Sequence, residues 1–274
     1  MRFYTGLSVF GCFLFFYSSK VVAQESSEKK YYQPIQDVFQ TELVYPQEKN
    51  EVQLTFNPVF GKNDGGSYLN LPMLAEYGLT DRWQVELLWN TLQTQFPENG
   101  TAYSEIGDLE VGTQYSFMNI ANTNFHAALG FELEIPLSHE EGPADNNEWE
   151  YEPYVSVALD LPELNNAQLF AQTGVGFVRN KEEDKGLESE EYSVSGGFFI
   201  PINKLVFTSE LTVYSGKSDS GRENRFYLTP GAVFNLPGAW EAGVAVPLGL
   251  NKRSDEFMVL AILTYEFSLG KEDE

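Results

Sequence analysis

Residues 105–117 read Glu-Ile-Gly-Asp-Leu-Glu-Val-Gly-Thr-Gln-Tyr-Ser-Phe. Leu109, Val111, Thr113, Tyr115 and Phe117 share one parity, while Asp108, Glu110, Gly112, Gln114 and Ser116 share the other. That period of two is the pattern of a strand with one apolar and one polar face. The next stretch repeats it: Phe125, Ala127, Leu129, Phe131, Leu133 and Ile135 oppose His126, Gly130, Glu132 and Glu134. Near the end, Trp240, Ala242, Val244, Val246, Leu248 and Leu250 do so again. No helical stripe of comparable length competes. Working outward, the texture predicts twelve strands, at 51–60, 67–77, 82–93, 105–117, 124–136, 149–161, 167–178, 190–201, 204–214, 224–236, 240–250 and 256–268.

The links between them form two classes. Short ones fall near 78–81, 118–123, 162–166, 202–203 and 237–239; longer, more polar ones fall at 61–66, 94–104, 137–148, 179–189, 215–223 and 251–255. Tight turns at one end and longer loops at the other predict an all-β fold, a transmembrane antiparallel β-barrel of about 12 strands. An even count returns both termini to one side, expected to be the periplasm. Tyr77, Trp83, Phe117, Phe125, Phe234, Trp240, Tyr265 and Phe267 lie beside the short turns on the apolar parity, where an interface girdle belongs. A soluble β-sandwich or lipocalin-like barrel also alternates, but strand length, link asymmetry and turn-side aromatics favour the membrane. The last strand departs from the rule, because its inward positions Met258, Leu260 and Ile262 are apolar.

The first segment has the form of an export signal. Arg2 precedes the apolar run Gly6 to Tyr17, and Val21-Val22-Ala23 offers a cleavage site before Gln24. A run of about twelve residues is short for a helical span. Domain expectations are therefore a signal peptide at 1–23 cut between Ala23 and Gln24, a periplasmic segment at 24–50, a barrel at 51–268 and a polar tail at 269–274. For 24–50, whose apolar residues include Tyr31, Tyr32, Ile35, Val38 and Phe39, two readings stay open: a plug in the lumen or a disordered leader. The single cysteine, Cys12, falls in the signal, which leaves no disulfide framework. From Gln24 onward 15 basic residues face 40 acidic ones, a formal charge of −25. Such a surface repels phosphate, so nucleic acid is not an expected partner.

Glu76-Tyr-Gly-Leu-Thr-Asp-Arg-Trp-Gln-Val-Glu86 and Ile106-Gly-Asp-Leu-Glu-Val-Gly-Thr-Gln-Tyr115 resemble the turn and strand motifs of the outer-membrane family labelled "MetA-pathway of phenol degradation". Gly130-Phe-Glu-Leu-Glu-Ile-Pro136-Leu occupies the place of a further strand end, without the family's following glycine, and Gln114 stands where lysine is common. The resemblance spans roughly 42–267. It implies an outer-membrane barrel with a transport role for aromatic or other small hydrophobic compounds, and it carries no functional residues across. Mechanically, Gly78 is expected to take a positive φ in its turn and Asp81 to bond its own downstream backbone. Gly112 falls on the inward parity, where a missing side chain lets the wall bend or another group approach, and Gly107 near the strand start is expected to do the same.

Catalytic constellations are wanting. His126 precedes Ala127-Ala128 with no serine two residues on, and His139 lies in the acidic loop Ser138-His-Glu-Glu-Gly. Glu132 and Glu134 share a strand face as glycosidase carboxylates do, but barrel lumens are polar by default. No glycine-rich phosphate loop occurs. Glu140, Glu141, Asp145 and Glu148 cluster in one loop, and Glu182, Glu183, Asp184, Glu188, Glu190 and Glu191 in or beside another. Neither has the spacing of a calcium loop, so no metal, cofactor or catalytic residue is assigned and no enzyme is expected.

The residues expected to line the lumen are Glu76, Arg82, Glu86, Glu110, Glu132, Glu134, Glu152, Glu210, Arg225 and Glu241. Twelve strands lie between barrels of ~8, filled by side chains, and of ~16 to 18, which hold an aqueous channel. The resulting expectation is a passive channel for small solutes. A structural or surface-display barrel is the alternative, and a lipid hydrolase comes last. Expected partners are outer-membrane lipid and lipopolysaccharide, the outer-membrane assembly machinery and a small solute.

Overall fold

The computed structural model describes residues 33–35, 37–137, 148–180, 188–218 and 221–270. The leader with its Ala23–Gln24 junction, most of the acidic loop residues and the last tail residues lie outside them.

Alternation becomes one antiparallel sheet of fifteen strands: β1 (Glu51–Phe56), β2 (Val59–Asn63), β3 (Gly66–Thr80), β4 (Trp83–Pro97), β5 (Tyr103–Glu105), β6 (Leu109–Phe117), β7 (Phe125–Ile135), β8 (Glu148–Leu161), β9 (Ala167–Asn180), β10 (Glu188–Ile202), β11 (Leu205–Ser218), β12 (Gly221–Leu236), β13 (Trp240–Ala245), β14 (Leu248–Gly249) and β15 (Phe257–Ser268). Three staves are each broken once, between β1 and β2, β5 and β6, and β13 and β14, so fifteen pieces make twelve staves. Two of these breaks fall at Asn57-Pro58 and Val246-Pro247, because proline has no N–H to give the ladder. Neighbours pair in chain order, and the barrel closes where Glu51 to Phe56 of β1 register with Ser268 to Leu263 of β15, and Val59 of β2 with Leu260.

Several strands run past their expected ends. β2 and β3 are joined by Asp64-Gly65 alone, with Asn63 registered on Gly66, and β11 and β12 continue to Ser218 and Gly221. The long links expected at 61–66 and 215–223 are therefore mostly strand. Polar residues there still hydrogen-bond across the ladder once the register is set below them, as in the pair Lys217 and Arg222.

Outward residues are apolar and exposed, among them Met73, Trp83, Leu87, Leu129, Leu211 and Phe234. A surface this apolar all round is stable only against hydrocarbon. Of the girdle aromatics, Trp83, Phe117, Phe125, Phe234 and Trp240 are exposed. The rings of Trp240 and Tyr265 meet at a tilt with centroids 4.6 Å apart. At the short-turn end, left-handed residues make the bends: Asn119, Ala121, Asn122, Asn165, Asn166, Asn203 and Ala239 all have φ between 51° and 61°.

Two local expectations are overturned in the turn after β3. Gly78 is not among the positive-φ residues. A Cβ there would lie 1.9 Å from the Glu48 carbonyl oxygen, so close approach, not φ, demands the glycine. Asp81 accepts the Lys49 backbone N–H at 3.2 Å, reaching back to the preceding segment in place of its own downstream backbone.

Candidate functional site

The lumen is built from the polar parity. Across neighbouring staves, Glu76 of β3 registers with Glu86 of β4, then Gly112 of β6, Glu132 of β7 and Glu152 of β8. One rung further toward the long-loop end, Glu110 of β6 registers with Glu134 and then Glu150. Carboxylate oxygens of Glu86, Glu110 and Glu132 lie within 4.8 Å of one another. Like charges this close repel, and the trio alone singles out no ion.

Glycines make room for these groups. A Cβ on Gly112 would stand 2.0 Å from Glu86 Oε1, and Cβ atoms on Gly174 and Gly176 would stand 2.2 Å from Glu152 and Glu150 oxygens. At Gly130 the ring of Tyr154 takes the space. Missing side chains thus let neighbouring ones lie flat on the wall, the close approach expected of Gly112. Gly107 likewise faces Asn90 and Gln93.

The other expected lining residues are dispersed. Glu76 and Glu210 are buried. Glu152 accepts from Ser193 Oγ at 3.0 Å. Glu241 registers with Thr264 near the short-turn end, and Arg82 sits in the turn between β3 and β4. Arg225 lies toward the long-loop end, ion-paired with Glu191 and 5.2 Å over the Tyr214 ring. The structure does not bring the two arginines together.

Residues 33–35 and 37–50 occupy the short-turn half of this lumen. Asn235 Nδ2 donates to the Pro34 carbonyl at 2.9 Å, beside the turn after β12. The chain then rises to mid-strand height. There Glu210 accepts the Phe39 and Gln40 backbone N–H groups, each at 3.0 Å. Thr41 Oγ1 donates to Ser195 Oγ at 2.9 Å, and Glu42 N–H to Gln172 Oε1 at 3.0 Å. On the way back, Tyr45 OH donates to Asp160 at 2.7 Å and Gln47 N–H to Gln84 at 2.8 Å. Asn50 N–H finally bonds the Gly78 carbonyl at 2.8 Å, where β1 begins. Wall side chains thus satisfy backbone donors that no ladder serves.

Its apolar residues have a seat of their own. Ile35, Val38, Phe39, Leu43 and Val44 join Val206, Val233, Ala245, Leu260 and Ile262 in one buried cluster. Phe39 lies over Gly231 and Gly243, where Cβ atoms would come within 2.6 and 3.0 Å of its ring. The inward apolar stripe of β15 is part of that seat, which accounts for its poor alternation.

Two carboxyls on the segment face the acidic wall. Burial pushes Asp37 up to about 6, against a hydrogen bond from Gln53 at 2.6 Å. Burial also raises Glu42 well above the usual carboxylate range, with Glu86, Asp37, Glu110 and Glu210 adding repulsion.

His126 is wholly buried, and its Nε2 meets Asp160 Oδ2 at 2.9 Å. The hydroxyl in this network is that of Tyr45, which bonds the carboxylate and not the imidazole, so the pair lacks the order of nucleophile, base and orienting acid. Asp160, Gln53, Gln84, Gln172 and Ser195 were not singled out by sequence. Their inward parity could have found them, but a glutamine or serine on a polar face carries no signal of which backbone it will meet.

Three solved outer-membrane barrels share this architecture. An outer membrane channel from Pseudomonas putida F1 superposes with a TM-score of 0.64 at 12% identity, covering 82% of this chain and 98% of that one. The KdgM porin gives 0.54 at 14% identity over 78% and 99%, and the NanC porin 0.53 at 11% over 79% and 98%. No curated protein matches the sequence. Residues 52–267 match the family described as "Putative MetA-pathway of phenol degradation". The match runs from the second residue of β1 to the last but one of β15, and the chain belongs to that family.

Proposed function

We propose that this chain is a passive channel for small solutes in the bacterial outer membrane, with both termini in the periplasm and its lumen narrowed by residues 33–35 and 37–50. One observation carries the reading: on the β3–β8 side of the lumen glutamates lie flat on glycines, and the described residues of a covalently attached segment, 33–35 and 37–50, lie in its short-turn half. Toward the long loops Glu110, Glu132, Glu134 and Glu152 stay half-exposed, as solvated lumen groups do. Solute size is set by what passes the segment, and solute charge by the carboxylates. Tyr68, Tyr214, Tyr227 and Met258 supply apolar contact beside them, which suits the aromatic or hydrophobic solutes that the family description suggests. Lipopolysaccharide and the assembly machinery meet the barrel's outside. No reacting group is assigned, and the protein is read as a non-enzyme.

The closed, segment-filled half favours a second reading, a barrel that serves display without transport. Single-channel recording of refolded protein in a planar bilayer separates the two. Resolved conductance steps, enlarged by deletion of 33–46, are the result expected for a channel. A silent barrel both with and without the deletion would establish the display reading.

A further inference from the structure

We propose that His126 is a positioning residue that holds Asp160 ready for Tyr45, and that the three form a latch keeping the returning limb of the lumen segment against the wall. The inference deepens the channel reading and rests on it for its consequence in conductance.

Tautomer logic comes first. His126 Nδ1 faces the Asn119 backbone N–H at 3.0 Å. A backbone N–H can only donate, so Nδ1 must accept and the ring proton must sit on Nε2. That proton points at Asp160 Oδ2, 2.9 Å away. The Asn119 donor is aimed by a turn in which Asn119, Ala121 and Asn122 all hold left-handed φ, and alanine reaches that region only at a cost. The strained turn thus fixes the imidazole as a donor to Asp160.

Asp160 is held on both oxygens. His126 takes Oδ2, while Gln168 Nε2 donates to Oδ1 at 2.6 Å. Tyr45 OH reaches the same Oδ1 at 2.7 Å, and its ring packs on the imidazole with centroids 5.9 Å apart. Four elements of the wall, the turn, β7, β8 and β9, therefore converge on one hydroxyl of the segment. Glu210, by contrast, grips backbone N–H groups that any sequence would offer. Tyr45 is a grip that depends on side-chain identity, as are Thr41 on Ser195 and Asp37 on Gln53, and it holds the limb that leads back to β1.

The test combines Tyr45→Phe, which removes one hydroxyl and keeps the ring, with His126→Phe, and reads the segment directly through Leu43→Cys. Leu43 is buried at 4% exposure, so its thiol reacts only when the segment leaves its seat. Each substitution should raise the labelling rate in the purified barrel about fivefold, the equilibrium change expected for one lost hydrogen bond. Together they should raise it no further, because both break one linkage. Multiplied effects, about twenty-five-fold in the double variant, or unchanged labelling in Tyr45→Phe would overturn the latch. If labelling rises without a rise in conductance, the latch stands and the channel reading fails. If deleting 33–46 raises conductance while Tyr45→Phe leaves labelling unchanged, the reverse holds.

Discussion

Gly112 and Gly78 lack side chains for reasons that differ in what would have to move. At Gly112 the obstacle is the Glu86 side chain; at Gly78 it is the Glu48 backbone carbonyl. A carboxylate arm can swing, whereas a carbonyl held in a turn cannot. Gly78→Ala should therefore cost roughly 1–3 kcal/mol in detergent unfolding, as forced overpacking does, and Gly112→Ala distinctly less. The reverse order would mean that the segment's turn is softer than its contacts imply. Asp37 offers a second test at this scale. Its pKa is raised to about 6 from 3.8, so its contribution to seating the segment is full below the ordinary value and lost as pH rises through about 6. Asp37→Asn keeps an acceptor for Gln53 and removes the buried charge. It should raise the unfolding midpoint at pH 8, with the advantage gone at pH 4. An equal gain at both pH values would show that ionisation is not the cause.

Elements were the most legible level of this sequence. Alternation over 105–117 and 124–136 and the two classes of link define twelve staves, because a strand with one face in lipid writes its register into every second residue. Three things escaped. Stave breaks depend on where a proline meets a ladder donor, and alternation continues straight through Val246-Pro247. Strand ends beyond the apolar band have no hydropathic signature, so β11 and β12 run further than expected. The path of 33–35 and 37–50 is written in no period at all: its irregular backbone is held by Glu210, Gln172 and Gln84, three inward residues among many of their kind. The candidate lining was readable as a parity class, but not the convergence of Glu86, Glu110 and Glu132 or the dispersal of Arg82 and Arg225. Orientation is testable at this scale. Cysteines placed at Asp64 or Glu98, beside the longer-link end, should react with an impermeant thiol reagent on intact cells. Cysteines at Asn165 or Ala239 should react only after the outer membrane is breached. Labelling of all four on intact cells would sink the arrangement with periplasmic termini.

At the scale of the whole molecule, charge and closure matter most. Glu86, Glu110, Glu132 and Glu152 lie on the inward parity and Glu210 lies beneath the segment, while the arginines stand apart at a turn and toward the long loops. A field of that sign attracts cations. Reversal potentials should show cation preference, weakened by acid and by salt as the Debye length falls from ~10 Å at 0.1 M to ~3 Å at 1 M. Glu110→Gln with Glu132→Gln should lower the permeability ratio while the barrel stays folded. Anion preference in the unmodified protein would hand control of selectivity to Arg82 and Arg225.

The seam between β1 and β15 also orders events in time. Its two strands stand at opposite ends of the barrel sequence, so their pairing closes the longest loop in the chain and comes at the greatest entropic cost. Ile35, Val38, Phe39, Leu43 and Val44, by contrast, are local to β1, and they share an apolar cluster with the inner stripe of β15. Whichever strand arrives last therefore finds a template as well as an edge. The segment's apolar side thus lies against the strand whose pairing closes the wall.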